Sequence, residues 1–167
     1  MEIALNLPKR KSIRLKDYDY SHAGYYFITI CVHNKRSMFG KVVNGIMELN
    51  GNGKIAENNI AEIPVHIKDT MIDKFVVMPN HIHMILIVLP NDTGTPNLAS
   101  PQMKSKQIVP KAIQQFKASV SRQTNIIGLW QSKYYDHIIR NDAEYREIWE
   151  YIDTNPLKWQ EDKYYNT

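Results

Sequence analysis

The sequence predicts an α+β fold: an antiparallel sheet with helices packed against it, in a ferredoxin-like arrangement. Three observations lead there. Runs rich in β-branched and aromatic residues interleave with segments whose apolar residues recur at helical spacing. Short turns join some of the strands directly, as antiparallel pairing requires. The 167 residues, 43% of them hydrophobic, suit one core, since domains cluster at roughly 100–150 residues. Residues 1–167 therefore read as a single domain without an internal repeat.

The elements follow in order. Residues 24–33, GYYFITICVH, read as a well-buried strand. Residues 41–43 and 46–49 flank Asn44-Gly45, the strongest short hairpin signal. A helix is expected over about 54–63, with Ile55, Ala56, Ile60, Ala61 and Ile63 on one side and Pro64 stopping it. Strands return at 74–78 and 81–89. Residues 90–102, PNDTGTPNLASPQ, have loop composition. A second helix is expected from about Pro110, with Ile113, Phe116 and Val120 as its apolar stripe. A strand at 134–140 and a third helix follow, the helix capped by Asn141 or Asp142, striped by Tyr145, Ile148, Trp149 and Ile152, and ending near Thr154 before Pro156.

Composition narrows the function classes. The longest apolar run, residues 84–89, is far shorter than the roughly 20 residues of a membrane-spanning helix. The first fifteen residues lack the apolar stretch of a signal peptide, and the single Cys31 forms no internal disulfide. A cytoplasmic protein without membrane contact is the expectation. The net charge of +4 is unevenly spread. Lys9, Arg10, Lys11, Arg14 and Lys16 face one acid within residues 1–16. Residues 101–140 hold seven bases, among them Lys111, Lys117 and Arg122, against Asp136. Two basic blocks could converge on one face and attract phosphates, though charge alone is met more simply by a solvated, lysine-rich surface.

The stretch 78–88, MPNHIHMILIV, carries the most chemistry. Alternate residues of a strand share a face about 7 Å apart. His81 and His83 thus project together, with Ile85 and Ile87 continuing that face and Ile82, Met84, Leu86 and Val88 on the other. Two imidazoles in that register can chelate a divalent metal, or can be two ordinary histidines satisfied by neighbours. On the third helix, Tyr151 and Asn155 stand four residues apart, which brings a phenol and an amide to one point if the helix lasts that long.

Three ordered stretches carry a family likeness: 75–83 (FVVMPNHIH), 129–141 (LWQSKYYDHIIRN) and 151–159 (YIDTNPLKW). Weaker agreement at 24–27 and 116–117 extends it over most of the chain. The sequence resembles the single-tyrosine HUH transposases, specifically the REP-associated tyrosine transposase group. Histidine-triad hydrolases match less well, because their third histidine would stand at Ile85.

The resemblance implies an HUH single-tyrosine transposase fold and cleavage of single-stranded DNA, often beside a hairpin. Matched by motif position, His81, His83 and Asn155 would ligate Mg²⁺ or Mn²⁺, and Tyr151 would be the nucleophile that forms a 5′-phosphotyrosine. Lys111, Lys117 and Arg122 are the expected DNA contacts. Asp136 and His137 fall in a family stretch but receive no role. Monomer and homodimer both stay open. The alternative to a strand transferase is a domesticated protein that binds DNA hairpins without moving them.

Overall fold

The computed structural model describes residues 24–89 and 108–165. The basic stretch at 1–16 and the expected loop at 90–102 lie outside the described residues. Strands β1 (Gly24–Cys31), β4 (Thr70–Val77), β5 (His81–Val88) and β6 (Tyr135–Ile139) form one sheet in the order β4-β5-β1-β6, every neighbouring pair antiparallel. Helix α1 (Gly51–His66) connects β1 to β4, and α2 (Ile108–Thr124) lies between β5 and β6 in the chain. This is the ferredoxin-like order of two interleaved β-α-β units. A separate hairpin, β2 (Gly40–Val43) and β3 (Ile46–Leu49), precedes α1.

The hairpin turns where expected, with Asn44 at φ 51° and Gly45 at φ 75°. Helix α1 begins three residues earlier than the apolar pattern indicated, because Asn50 caps it by accepting from Gly53 N at 2.9 Å. A Cβ on Gly53 would meet the Phe39 carbonyl oxygen at 2.1 Å, so glycine is required there. Pro64 does not stop the helix. It sits in the last turn, and Ile67 N still donates to Ile63 O.

Strand alternation splits the core in two. Ile28 and Ile30 of β1 and Ile82, Met84 and Leu86 of β5 pack beneath α1 and α2. On the other face, Phe27, Ile85 and Ile87 meet Ile148 and Ile152 of a third helix, α3 (Asp142–Thr154). Burying each of those two isoleucines stabilises the docked helix by about 1.5–3 kcal/mol. Trp149, expected on the same stripe, is instead 38% exposed and lies over the Lys74 ammonium at 3.9 Å. The sheet is thus covered by two helices on one side and by α3 on the other.

Polar contacts fix where α3 sits. Its N-cap Asn141 accepts from Glu144 N, and the Glu144 carboxylate accepts from Arg140 N at 2.7 Å while meeting Nε2 of His137 at 2.5 Å. A bulge in β4 between Ile72 and Lys74 presents Asp73, which accepts from the Tyr145 hydroxyl at 2.6 Å. Lys74 donates to Asp153 from the same strand. Helix α3 is therefore tied to β4 and β6, over the face that carries the two histidines.

Candidate active site

His81 and His83 occupy consecutive inward positions on that face, with ring centroids 4.5 Å apart and both side chains buried. The preceding residue sets the first ring. Asn80 Nδ2 donates to the carbonyls of Lys35 (3.1 Å) and Tyr164 (2.8 Å), which fixes the amide's orientation. Its Oδ1 then lies 2.8 Å from Nδ1 of His81 and accepts that proton. Nε2 of His81 is left as a lone pair, with no hydrogen-bond partner among the described residues. For His83, Nδ1 lies 2.8 Å from Thr29 Oγ1, its neighbour across the β1–β5 ladder. Nε2 of His83 is 3.4 Å from the Tyr151 hydroxyl.

Two further side chains complete the centre. Asn155 keeps helical backbone angles just past α3, so it lies one turn beyond Tyr151. Its Nδ2 donates to Asp162 Oδ2 at 2.8 Å, and its Oδ1 is buried without a hydrogen-bond partner. Asp162 arrives from the segment after α3, and its ligand atoms and those of His81 and His83 all lie within 4.8 Å of one another. The backbone N–H of Tyr164 donates to Asp162 Oδ1 at 2.7 Å, and the Tyr164 ring lies 4.4 Å from that of His81. A second phenol thus borders the same centre.

Burial governs the protonation states. It lowers the His81 pKa to about 3, helped by the cations of Lys163 and Lys35 and partly offset by Asn155. Burial likewise holds His83 well below its ordinary value, followed by the neighbouring His81 and by Lys163. Both rings are neutral at pH 7 and present lone pairs. The Tyr151 phenol is raised well above its usual value, chiefly by burial and then by the Asp162 charge. Two imidazole nitrogens and a carboxylate within 4.8 Å of one another, with the unpartnered amide oxygen of Asn155 on a side chain bonded to that carboxylate, form a donor set that fits a divalent cation. The partnerless Nε2 of His81 and Oδ1 of Asn155 each carry a desolvation cost of about 1–3 kcal/mol that a ligand would relieve.

No protein-family model matches the chain. It is 39% identical to an uncharacterised protein of Haemophilus influenzae, covering 93% of each. It is also 24% identical to the REP-associated tyrosine transposase of Escherichia coli, over 83% of this chain and 70% of that one. A second Haemophilus influenzae relative, named as a putative REP-associated tyrosine transposase, is 24% identical over 84% of this chain and 74% of its own length. The fold of this chain is that of a REP-associated tyrosine transposase solved bound to a REP hairpin, with a TM-score of 0.62 at 23% identity, covering 90% of this chain and 76% of the other.

The structure brings together His81, His83, Tyr151 and Asn155. It does not bring the expected DNA contacts to them. Lys111 and Arg122 are exposed on α2, which packs on the opposite face of the sheet. Lys117 points elsewhere around the helix, since six residues advance the side-chain direction by about 240°. Its Nζ donates to the carbonyls of Gln131 (2.8 Å) and Lys133 (3.3 Å), and burial lowers its pKa. That ammonium braces a loop. Sequence reasoning missed Asn80, Thr29, Asp162 and Tyr164. Asn80 stands beside His81 in the quoted motif, but Asp162 and Tyr164 follow Pro156 in a stretch with no periodicity to mark them. Among the described residues, no helix is long and apolar enough to cross a membrane.

Proposed function

We propose that this protein cuts single-stranded DNA beside a hairpin and rejoins strands through a 5′-phosphotyrosine on Tyr151, as a transposase catalytic domain. The observation that carries the reading is the position of the Tyr151 hydroxyl, 3.4 Å from Nε2 of His83. It stands at the edge of a donor set made by His81, His83, Asn155 and Asp162. The relative solved with a REP hairpin supports the choice of substrate.

Those four residues would hold Mg²⁺ or Mn²⁺, and paired imidazoles favour Mn²⁺ of the two. A cation held there would supply positive charge to offset the charge that develops on the scissile phosphate. The chain's own residues do the rest. Asn80 holds His81 in one tautomer, and Thr29 steadies His83. Tyr151 attacks phosphorus as the bond to the 3′-oxygen breaks, leaving a free 3′-hydroxyl and a phosphotyrosine. The Asp162 carboxylate, whose charge bears on the phenol, takes its proton and returns it to the departing 3′-oxygen. The phosphodiester energy stays in the Tyr151–phosphorus bond, so a 3′-hydroxyl can attack it and restore the strand.

The reading is tested by incubating the chain with hairpin oligonucleotides that carry single-stranded flanks, in Mn²⁺, and separating products under denaturing conditions. A covalent protein–DNA species is expected. Cleavage without it indicates a nuclease that uses water, and tight binding without cleavage indicates a hairpin-binding protein.

A further inference from the structure

A groove opens beside the histidine centre, lined by His33, Asn34, Lys35, Gln131, Ser132 and Lys133. We propose that it carries the phosphates of the single-stranded DNA flank leading away from the scissile bond. The proposal rests on the strand-transferase reading and adds the path of the substrate.

The groove is built rather than incidental. Its walls are the turn after β1 and the segment before β6, laced by a bridge between Val32 and Trp130. His33 N donates to Leu129 O at 2.8 Å and Gln131 N to Cys31 O at 2.9 Å. From beneath, the Lys117 ammonium ties down the carbonyls of Gln131 and Lys133. This holds the wall rigid and adds positive charge under it. The lining side chains include two exposed lysines, two amides and a hydroxyl, and no carboxylate. That chemistry suits phosphate and sugar oxygens. The lining offers no Trp, Tyr or Phe for base stacking, so the groove would track the backbone without reading sequence.

The groove also connects to the centre. Asn80, which orients His81, donates to the carbonyl of Lys35. Lys35 Nζ donates to Lys163 O, and both ammonium groups lie over the Tyr164 ring, at 5.9 and 5.0 Å from its centroid. On the other side, α3 exposes Asp142, Glu147, Glu150 and Asp153. A phosphate chain leaving the centre between an acidic helix and a lysine-lined groove is drawn to the groove.

The test measures affinity for a hairpin with a single-stranded flank as a function of salt, using the full chain. Each lost single-strand phosphate contact lowers the slope of log affinity against log salt by about 0.7. Lys35→Gln with Lys133→Gln is expected to lower it by about 1.4. Because Lys35 also bonds the Lys163 carbonyl, Lys133→Gln alone is measured too, with an expected drop of about 0.7. A flankless hairpin should bind wild type and variants alike. Lys54→Gln with Lys68→Gln removes equal charge elsewhere and should leave the slope unchanged. An unchanged slope in the groove variants, or equal flattening by the Lys54/Lys68 pair, overturns the proposal. If wild type still forms the covalent adduct in that case, the strand-transferase reading stands and only the groove falls. If wild type neither binds DNA nor forms an adduct, both fall.

Discussion

Asn80 and His81 are joined by a 2.8 Å hydrogen bond whose direction is set by two carbonyls on the far side of the Asn80 amide. That bond leaves Nε2 of His81 unprotonated and available to a cation. Partners that orient ligand imidazoles typically matter 10–100-fold in metal affinity. Asn80→Ala should therefore weaken Mn²⁺ binding by about that factor in calorimetric titration. An unchanged affinity would mean the ring is held in place by other contacts.

The mooring of α3 predicts a stability effect. Glu144 joins His137 and Arg140 N at the helix start, and hydrogen bonds to charged groups contribute about 1.5–3 kcal/mol. Glu144→Ala should lower unfolding free energy by about that amount in a urea titration. Cleavage should fall as well, since Tyr151 and Asn155 ride on the same helix. A normal urea midpoint would show that the apolar contacts of Ile148 and Ile152 suffice.

Lys117 gives a contrasting case. Lys117→Met keeps the stem and removes the donor to Gln131 O and Lys133 O. The expected result is a loss of about 1–3 kcal/mol in unfolding free energy. Wild-type stability would mean that water replaces the ammonium at no cost.

These residues also show what the sequence makes legible. The β5 face was readable because a strand's period of two places His81 and His83 together whatever surrounds them. The link between Tyr151 and Asn155 followed from helical spacing, and it survives because the backbone stays helical one residue past α3. Asp162 was not readable, since its arrival at the histidines depends on how residues 156–164 fold back. The loop contacts of Lys117 were hidden for a related reason. Nothing local distinguishes a lysine facing solvent from one held by carbonyls of a loop fourteen residues on.

Protonation gives a pH prediction. Burial holds His81 at about 3 and His83 well below its ordinary value, whereas unfolded imidazoles titrate near about 6.5. Below about 6.5 the unfolded chain therefore binds more protons. The associated stability is fully present above that pH and is lost as pH falls toward about 3. The metal-free protein should show a declining thermal midpoint from pH 7 to pH 5, and His81→Gln with His83→Gln should flatten the decline. A flat wild-type profile would contradict neutral burial of the two rings.

The central claim is that Tyr151, and not the neighbouring Tyr164, becomes covalently joined to DNA. Both phenols border the histidine centre, and both are raised well above their usual pKa by burial. Tyr151 alone shares a helix turn with Asn155. Tyr151→Phe removes one oxygen and should keep fold and hairpin binding intact. The direct measurement is peptide mapping of the adduct trapped with a flanked hairpin and Mn²⁺, run beside Tyr151→Phe and Tyr164→Phe. The account predicts a phosphate on Tyr151, no adduct from Tyr151→Phe and a retained adduct from Tyr164→Phe. A phosphate on Tyr164, or an undiminished adduct from Tyr151→Phe, would contradict it.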